Sequence, residues 1–435
     1  MRVNRLSFAL RATILAGCVL PLTVLPGCTP PAPRPGAPAT QASRHRRPDP
    51  VGRDAPLAGL FQALDTAGTS PVTILQIGDS HTANDSFSGE MRARLQARFG
   101  NAGRGYLQPA IPFNYYRPAG VTVQAGGFTK ITSFSNDSSG PFGIAAVRAH
   151  ADGPAEATLQ ITDATTIGSA FAEFITQSGG GTVQLVAPPA APITIPTAGN
   201  GAPLITPFAV PAGATSLTVR ALGNGPVDWM GWELRRAAPG VIYANLGYPG
   251  ASVDIMDRWD WNLARQEIAL LRPAMIVLAY GTNEGFKPSL DPAAYAAGYA
   301  ARLAALHDAA PYASILVLGP PDGQRQSPAG TRRHPAPPPP PGAIQCGGRW
   351  YIPPHLGQIR AIEQNAALNA GAYWFDWSAP QGGACGMMDW SSRMPPLGGP
   401  DHVHMKTAGY ALTADVLFDT LMHGFDHWRA TTGGM

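Results

Sequence analysis

The sequence has few charged side chains and almost no excess of either sign. Asp, Glu, Lys and Arg make up only 14% of its 435 residues, and the formal net charge is +3. This low charge, together with 45% hydrophobic residues, excludes a disordered polyelectrolyte and allows a sizeable core. So small a net charge gives no argument for a nucleic-acid-binding surface, and no nucleic-acid partner is predicted.

Cysteine and metal-binding motifs are scarce as well. The chain has 4 cysteines, and neither a CxxC nor an HExxH pattern occurs. We therefore predict no metal site and no cofactor. Glycine and proline are abundant instead, with 50 and 45 residues, which favours many turns and loops over a helical bundle.

The N-terminus has no apolar run long enough to cross a membrane. The run over residues 12–25 follows a basic start and suits a signal peptide, which we place at residues 1–28. It ends in LPGC, which resembles a bacterial lipoprotein cleavage site and makes Cys28 the predicted lipidation residue. Cys18, in LAGC, and an ordinary signal peptide remain alternatives. Proline-rich residues 29–55 are expected to form a tether.

These features predict an exported, periplasmic protein that is held at the membrane by a lipid. In an oxidising compartment the remaining cysteines, Cys346 and Cys385, can pair in only one way, so we predict a disulfide between them. Two free thiols are the alternative. The sequence does not indicate an oligomeric state.

Short apolar strands alternate with helical segments over residues 56–117 and 241–435. The predicted strands lie at residues 72–77, 241–245, 275–280, 314–318 and 372–376. Nearly continuous apolar strands separated by helices are typical of a parallel sheet that is covered on both faces. The fold class is therefore α/β, with one domain built from both segments.

Residues 118–240 follow another pattern. Short alternating stretches are interrupted by Gly, Pro, Asn and Ser about every ten residues, which indicates an inserted all-β sandwich. Trp229 and Trp232 alternate on one strand of this insert. They are either core residues or platforms on which a sugar could stack.

Polar residues follow the predicted parallel strands, at the sheet edge where ligands bind in such folds. The first strand leads into Ser80, and Gly250 and Asn283 follow two later strands. Asp401 and His404 precede the last helix. A serine, an imidazole held by a carboxylate, and several N–H donors are the parts of an acyl-transfer site.

Each of these residues has a physical role in that chemistry. His404 would take the proton of the Ser80 hydroxyl, and Asp401 would orient the imidazole and stabilise its charged form. The backbone N–H groups of Ser80 and Gly250 and the side-chain amide of Asn283 would bind the oxyanion. Ser80 could instead be only a helix N-cap.

Four sequence blocks resemble those of the SGNH (GDSL-type) esterase superfamily. They are GDS at 78–80, GYPGA at 247–251, GTNE at 281–284 and DHVH at 401–404. This resemblance implies a three-layer SGNH fold with a Ser80, Asp401 and His404 triad. Glu284 replaces the aspartate of most members. Asp79 is expected to fix the turn, whereas His81 and His402 are alternative bases or pocket walls.

A narrower resemblance is to peptidoglycan O-acetylesterases, in the segments GDSHT, GRGY (103–106), GPPD (319–322) and DHVH. It implies an insert like a carbohydrate-binding module. It also implies removal of the 6-O-acetyl group of N-acetylmuramic acid through an acetyl-Ser80 intermediate. The alternatives are a polysaccharide O-acetyltransferase, an acetylesterase acting on xylan or alginate, and a wall-binding lipoprotein without activity.

Overall fold

The computed structural model describes residues 54–134, 138–162, 167–331 and 337–433. The predicted signal peptide, both candidate lipidation residues, Cys18 and Cys28, and nearly all of the tether lie outside the described residues. Within the described ranges, no helix combines the length and the apolar character that crossing a membrane requires.

Helices and strands are interspersed before residue 101 and after residue 240, whereas the described residues between these points form strands and no helix. Short 3-10 helices lie at Ala55–Leu57, Val253–Arg258 and Ala379–Gln381. The α-helices are α1 Ala58–Asp65, α2 Ser80–Ala83, α3 Ser86–Phe99, α4 Trp261–Leu271, α5 Thr282–Gly285, α6 Pro292–Ala309, α7 Pro354–Asn369, α8 Gly386–Ser392 and α9 Thr407–Thr432. The strands before residue 200 are β1 Pro71–Gly78, β2 Asn101–Gly103, β3 Gly105–Leu107, β4 Val121–Gly126, β5 Thr129–Thr132, β6 Val147–Ala151, β7 Pro154–Ile161, β8 Ser169–Ile175, β9 Thr182–Val186 and β10 Ile193–Pro196. The later strands are β11 Pro203–Ala209, β12 Ser216–Leu222, β13 Val227–Arg235, β14 Gly240–Gly247, β15 Pro273–Ala279, β16 Ser314–Gly319, β17 Arg325–Gln326, β18 Ile344–Gly347, β19 Trp350–Ile352 and β20 Tyr373–Asp376.

The central sheet has six parallel strands in the order β2-β14-β1-β15-β16-β20. The register pairs Gly78, the last residue of β1, with Gly247 of β14 and Ala279 of β15. The carboxyl ends of these three strands are therefore level. The loops that follow them start from one edge, where parallel folds place their ligand sites.

Alternation along β1 separates two hydrophobic layers. Ile74 packs with residues of α1, α3 and α9 on one face, whereas Leu75 and Ile77 pack with residues of α4, α6 and α7 on the other. Successive side chains of a strand point to opposite faces, so a nearly continuous apolar strand buries both. This gives the three-layer α/β arrangement.

Two antiparallel sheets interrupt this domain. Their strand orders are β10-β9-β12-β7-β4 and β11-β8-β13-β6-β5, and one hydrophobic cluster fills the space between them. The predicted fold class, a parallel sheet interrupted by an all-β region, is confirmed. β3 pairs with β13, so one of these sheets includes a strand from before residue 118. The exact boundaries at 118 and 240 stay predictions.

Trp229 and Trp232 belong to the core of this region. Both are fully buried, and their rings meet edge to face at 5.0 Å. A fully buried indole has no face available to a sugar, so these tryptophans are not stacking platforms.

The segment after β1 forms two successive helices and not one continuous helix. Asp85 has a φ of +53° and separates α2 from α3. Its buried carboxylate accepts hydrogen bonds from Arg92 at 2.9 Å, Arg104 at 2.8 Å and the Ala119 backbone N–H at 2.7 Å. Burial alone would raise the pKa of Asp85, but the two guanidinium groups hold it well below its usual range. The carboxylate therefore ties the segment after β1 to distant parts of the chain.

Strands β17, β18 and β19 form a small antiparallel sheet in the order β17-β19-β18, which we call the arm. Cys346 of β18 and Cys385, directly before α8, form a disulfide in the structure. The bond attaches the arm to the segment that leads toward Asp401.

Gly78 provides a test of the tight packing where β1 ends. A Cβ at this position would lie 2.3 Å from Thr82 Oγ1 and 2.5 Å from the Ala279 carbonyl oxygen. Because the second of these is backbone, we expect Gly78→Ala to lower the free energy of unfolding by about 1–3 kcal/mol. Urea denaturation measures this free energy of unfolding. Gly68→Ala, with nothing within 4 Å, is the control, and equal stability of the two variants would contradict the packing.

Candidate active site

Ser80 lies directly beyond the carboxyl end of β1, as the first residue of α2. Asp79 precedes it as the N-cap, and its carboxylate accepts a hydrogen bond from the His81 backbone N–H at 2.9 Å. Burial raises the pKa of Asp79 to about 7, although that hydrogen bond opposes the shift. Asp79 therefore fixes the turn, and the half-buried Ser80 is presented at the sheet edge.

The imidazole of His404 is within hydrogen-bond distance of Ser80. Ser80 Oγ lies 2.8 Å from His404 Nε2, and His404 Nδ1 lies 2.7 Å from Asp401 Oδ2. The other carboxylate oxygen of Asp401 accepts hydrogen bonds from the backbone N–H groups of Val403 and His404, each at 3.1 Å. The structure thus brings together the three residues predicted as a triad, in the order that acyl transfer needs.

The surroundings of His404 increase the basicity of its imidazole. The hydrogen bond that His404 Nδ1 donates to the Asp401 carboxylate raises the pKa of His404 above its usual 6.5, although partial burial works in the opposite direction. Partial burial alone would raise the pKa of Asp401, but the His404 and backbone hydrogen bonds hold it well below its usual range. The carboxylate therefore stays ionised and stabilises the imidazolium that forms during proton transfer.

Gly250 and Asn283 follow β14 and β15 at the same edge. Gly250 is exposed with a φ of +80°, a conformation that L side chains rarely adopt. Asn283 donates one amide hydrogen to the Ala251 carbonyl oxygen at 2.8 Å, which joins its loop to that of Gly250. An amide nitrogen carries two hydrogens, so this bond leaves one for the predicted oxyanion role. The roles of both residues in the oxyanion hole stay predictions.

Glu284 has a positioning role that the sequence did not reveal. Its buried carboxylate accepts hydrogen bonds from the Val253 backbone N–H at 2.6 Å and from the Gly281 backbone N–H at 3.1 Å. It therefore joins the loop after β14 to the loop after β15. The only signal in the sequence was the acidic residue that follows Asn283 in the GTNE block.

Neither alternative base contacts the serine hydroxyl within the described part of the chain. His81 is buried beside Trp377, and its Nδ1 lies 2.9 Å from the Tyr410 hydroxyl. Burial, with the nearby His404, lowers the pKa of His81 well below 6.5. His402 lies against Trp350, with ring centroids 3.7 Å apart and planes 3° apart, and its Nδ1 is 2.7 Å from Gln324 Oε1. These contacts place neither histidine as the base for Ser80, and their assignment as walls of the site stays a prediction.

Two of the three triad side chains are partly open to solvent. The side chains of His404 and Asp401 are 42% and 49% exposed. A site open in this way admits an ester that projects from a large molecule, because the rest of the substrate can stay outside. Among the residues described, no group of three or more His, Cys, Asp or Glu side chains is placed to hold a metal ion.

The sequence matches the model of the GDSL-like lipase/acylhydrolase family over residues 197–412. This range contains Gly250, Asn283, Asp401 and His404. Ser80 precedes it, and the first part of the range, residues 197–240, lies in the predicted insert. None of the curated proteins compared with the sequence matches it.

Among solved structures, the chain resembles a peptidoglycan O-acetylesterase with a TM-score of 0.69 and 24% identity over 86% of this chain and 96% of the other. This likeness is one of fold. A family two carbohydrate esterase from Cellvibrio japonicus also matches, at 13% identity over 70% of this chain and 99% of the other, with a TM-score of 0.26. An acetyl-xylooligosaccharide esterase from Geobacillus Stearmophilus matches at 14% identity over 42% of this chain and 72% of the other, with a TM-score of 0.29.

Replacing Asp401 tests the electrostatic coupling. His404 must be neutral to accept a proton, so activity should fall as the pH drops through its raised pKa, above 6.5. In Asp401→Asn the charge is lost and the pKa of His404 falls. We expect the acid limb of the profile of kcat/KM to move to lower pH and the plateau to drop at least about 100-fold. Asp308→Asn, at an exposed position of α6, is the control and should change neither the acid limb nor the plateau. An unshifted acid limb in Asp401→Asn would contradict the electrostatic coupling between Asp401 and His404.

Replacing Glu284 tests the link between the two loops. Gln has the same length but one acceptor oxygen fewer, so Glu284→Gln should leave one buried N–H without its partner. We expect kcat to fall about 10-fold with little change in KM, because the loops carry the predicted oxyanion donors. Glu156→Gln is the matched control, since Glu156 is exposed and pairs with Arg220. Equal kinetics in the two variants would show that the link does not matter.

Proposed function

Because the chain contains a domain of the GDSL-like lipase/acylhydrolase family and is therefore a carboxylic ester hydrolase, we propose that it removes O-acetyl groups from a cell-wall polysaccharide. The observation that carries this proposal is the hydrogen-bonded series from Ser80 through His404 to Asp401, with separations of 2.8 and 2.7 Å. An acetylesterase needs no further reactive group than these and a water molecule.

In the first half of the reaction, His404 Nε2 takes the proton of Ser80 while Oγ attacks the acetyl carbonyl carbon. The negative charge that develops on the carbonyl oxygen is stabilised by the Gly250 N–H, the Ser80 N–H and the Asn283 amide. His404 then gives its proton to the sugar oxygen as the carbon–oxygen bond breaks. The products of this half are a free sugar hydroxyl and acetyl-Ser80.

In the second half, His404 removes a proton from a water molecule, and the resulting hydroxide attacks the acetyl carbon. The bond to Oγ breaks, Ser80 regains a proton from His404, and acetic acid leaves and gives up its proton to the solvent as acetate. Asp401 remains ionised throughout and stabilises each imidazolium. The same intermediate would serve a transferase if a sugar hydroxyl replaced the water.

The proposed substrate is peptidoglycan that carries acetyl groups on the 6-hydroxyl of N-acetylmuramic acid. Support comes from the resemblance of the sequence blocks to peptidoglycan O-acetylesterases and from the fold shared with one of them over 86% of this chain. The open position of His404 and Asp401 also suits an ester on a polymer.

We further propose that the protein acts in the periplasm, anchored by a lipid on Cys28. The apolar N-terminal segment and its LPGC sequence support export and lipidation. The pairing of Cys346 with Cys385 in the structure suits an oxidising compartment.

Acetate release from O-acetylated peptidoglycan tests the proposed activity. We expect Ser80→Ala and His404→Ala each to lower kcat at least about 1,000-fold, because each removes a member of the triad. Ser70→Ala is the matched control, since Ser70 is exposed next to the amino end of β1, at the opposite edge of the sheet. Retained activity in purified Ser80→Ala would contradict the mechanism.

A comparison of polymers tests the substrate. We expect kcat/KM for O-acetylated peptidoglycan to exceed that for acetylated xylan and acetylated alginate. Preference for xylan or alginate would overturn the substrate while leaving the esterase mechanism intact. Accumulation of newly acetylated sugar instead of acetate would identify a transferase.

A further inference from the structure

Two aromatic side chains flank the proposed oxyanion residue Gly250. Phe134 lies so close that a Cβ on Gly250 would be 3.8 Å from its ring carbon Cζ. The rings of Phe134 and Tyr248 have centroids 6.1 Å apart. We call these two residues the aromatic ledge. Phe134 follows β5 in the inserted all-β region, whereas Tyr248 follows β14 of the central sheet, so the ledge combines both parts of the fold.

The surrounding contacts fix the ledge in place. The residue before Phe134, Ser133, is buried, and its backbone N–H donates to the Ala146 carbonyl oxygen at 2.9 Å. Phe113, which is buried, meets the Tyr248 ring edge to face at 5.6 Å. The ledge is therefore held before any ligand arrives.

One side of the ledge stays open to solvent. Phe134 is 52% exposed, whereas Tyr248 is partly buried. Single exposed apolar side chains are common on protein surfaces and need no explanation. Here, however, an exposed phenyl ring borders the residue that would bind the reacting oxygen, and an aromatic surface beside a few placed polar groups is typical of small-molecule sites.

We propose that Phe134 and Tyr248 bind the sugar ring that carries the acetyl ester, so that the inserted region supplies substrate recognition at the catalytic site. This inference rests on the proposed acetylesterase function. An acetyl group has a single methyl and needs little apolar surface. The sugar that leaves is far larger, and its C–H faces are the apolar surface that matches an exposed aromatic ring.

The burial of Trp229 and Trp232 bears on where the insert could contact a sugar. The insert presents neither of those indoles to solvent. Recognition of the glycan by the insert would therefore occur at the catalytic site itself, through Phe134, and not on a separate face that carries those tryptophans.

Kinetic measurements on two substrates test whether the aromatic ledge binds the sugar ring. We measure kcat/KM of the full-length protein for O-acetylated peptidoglycan and for ethyl acetate, whose alcohol has no ring. We expect Phe134→Ala to lower the ratio of the two values about 10-fold, which corresponds to the loss of about 1.4 kcal/mol of stacking at the transition state. Phe134→Trp should keep the ratio, and Phe134→Leu should lower it, because Leu is apolar but has no aromatic face. Tyr312→Ala is the matched control, since Tyr312 is 46% exposed and precedes β16 at the other edge of the sheet.

The results distinguish failure of the proposed sugar-binding role of the aromatic ledge from failure of the proposed acetylesterase function. An unchanged ratio in Phe134→Ala, with wild-type activity on both substrates, would overturn the ledge alone. Absence of wild-type activity on both substrates would overturn the proposed function. A further series of ethyl esters, from acetate to hexanoate, shows whether the acyl group or the alcohol of the ester contacts the ledge. A loss in Phe134→Ala confined to the longer acyl chains would place the acyl group on the ledge and contradict a sugar site.

Discussion

The hydrogen bond between Ser80 Oγ and His404 Nε2 is the interaction on which the site depends. It joins two residues 324 positions apart. The parallel sheet supplies one end, because β1 delivers Ser80 to the edge where the strands terminate. The turn before α9 carries His404. Two backbone hydrogen bonds of 2.7 Å hold this turn, one from the Gly399 N–H to the His404 carbonyl and one from the Lys406 N–H to the Leu397 carbonyl. An error of about 1 Å at either end would remove the contact that lets the imidazole take the proton.

Buried carboxylates hold the loops that converge on this bond. Asp79 fixes the turn that carries Ser80, Asp85 ties the following segment to Arg92 and Arg104, and Glu284 links the two loops with the proposed oxyanion donors. Burying such groups is favourable only when hydrogen bonds or opposite charges compensate the loss of water. Each of the three accepts a hydrogen bond from at least one N–H donor of the segments that it holds. These carboxylates position the reacting groups and do not take part in the proton transfers.

The parallel sheet and the convergence of the triad could be predicted from the sequence, because apolar strands and the polar residues after them are local patterns. The roles of Asp85 and Glu284 could not, since their partners lie in other segments and only folding brings them together. The same applies to Trp229 and Trp232. Their positions differ by three, so a regular strand would place the two side chains on opposite faces. A bulge between Trp229 and Gly231 brings both indoles into one core, which the second sheet of the insert covers. Phe134 gave no signal at all, because its importance arises from its distance to Gly250.

The most direct test of the account is to identify the residue that an active-site-directed fluorophosphonate modifies. The reagent reacts with a serine whose hydroxyl is activated by a neighbouring base, and mass spectrometry of the digested protein locates the adduct. The account predicts a single adduct on the peptide that contains Ser80, with labelling lost in His404→Ala. An adduct on a different residue, or no adduct in a preparation that releases acetate, would contradict the central claim.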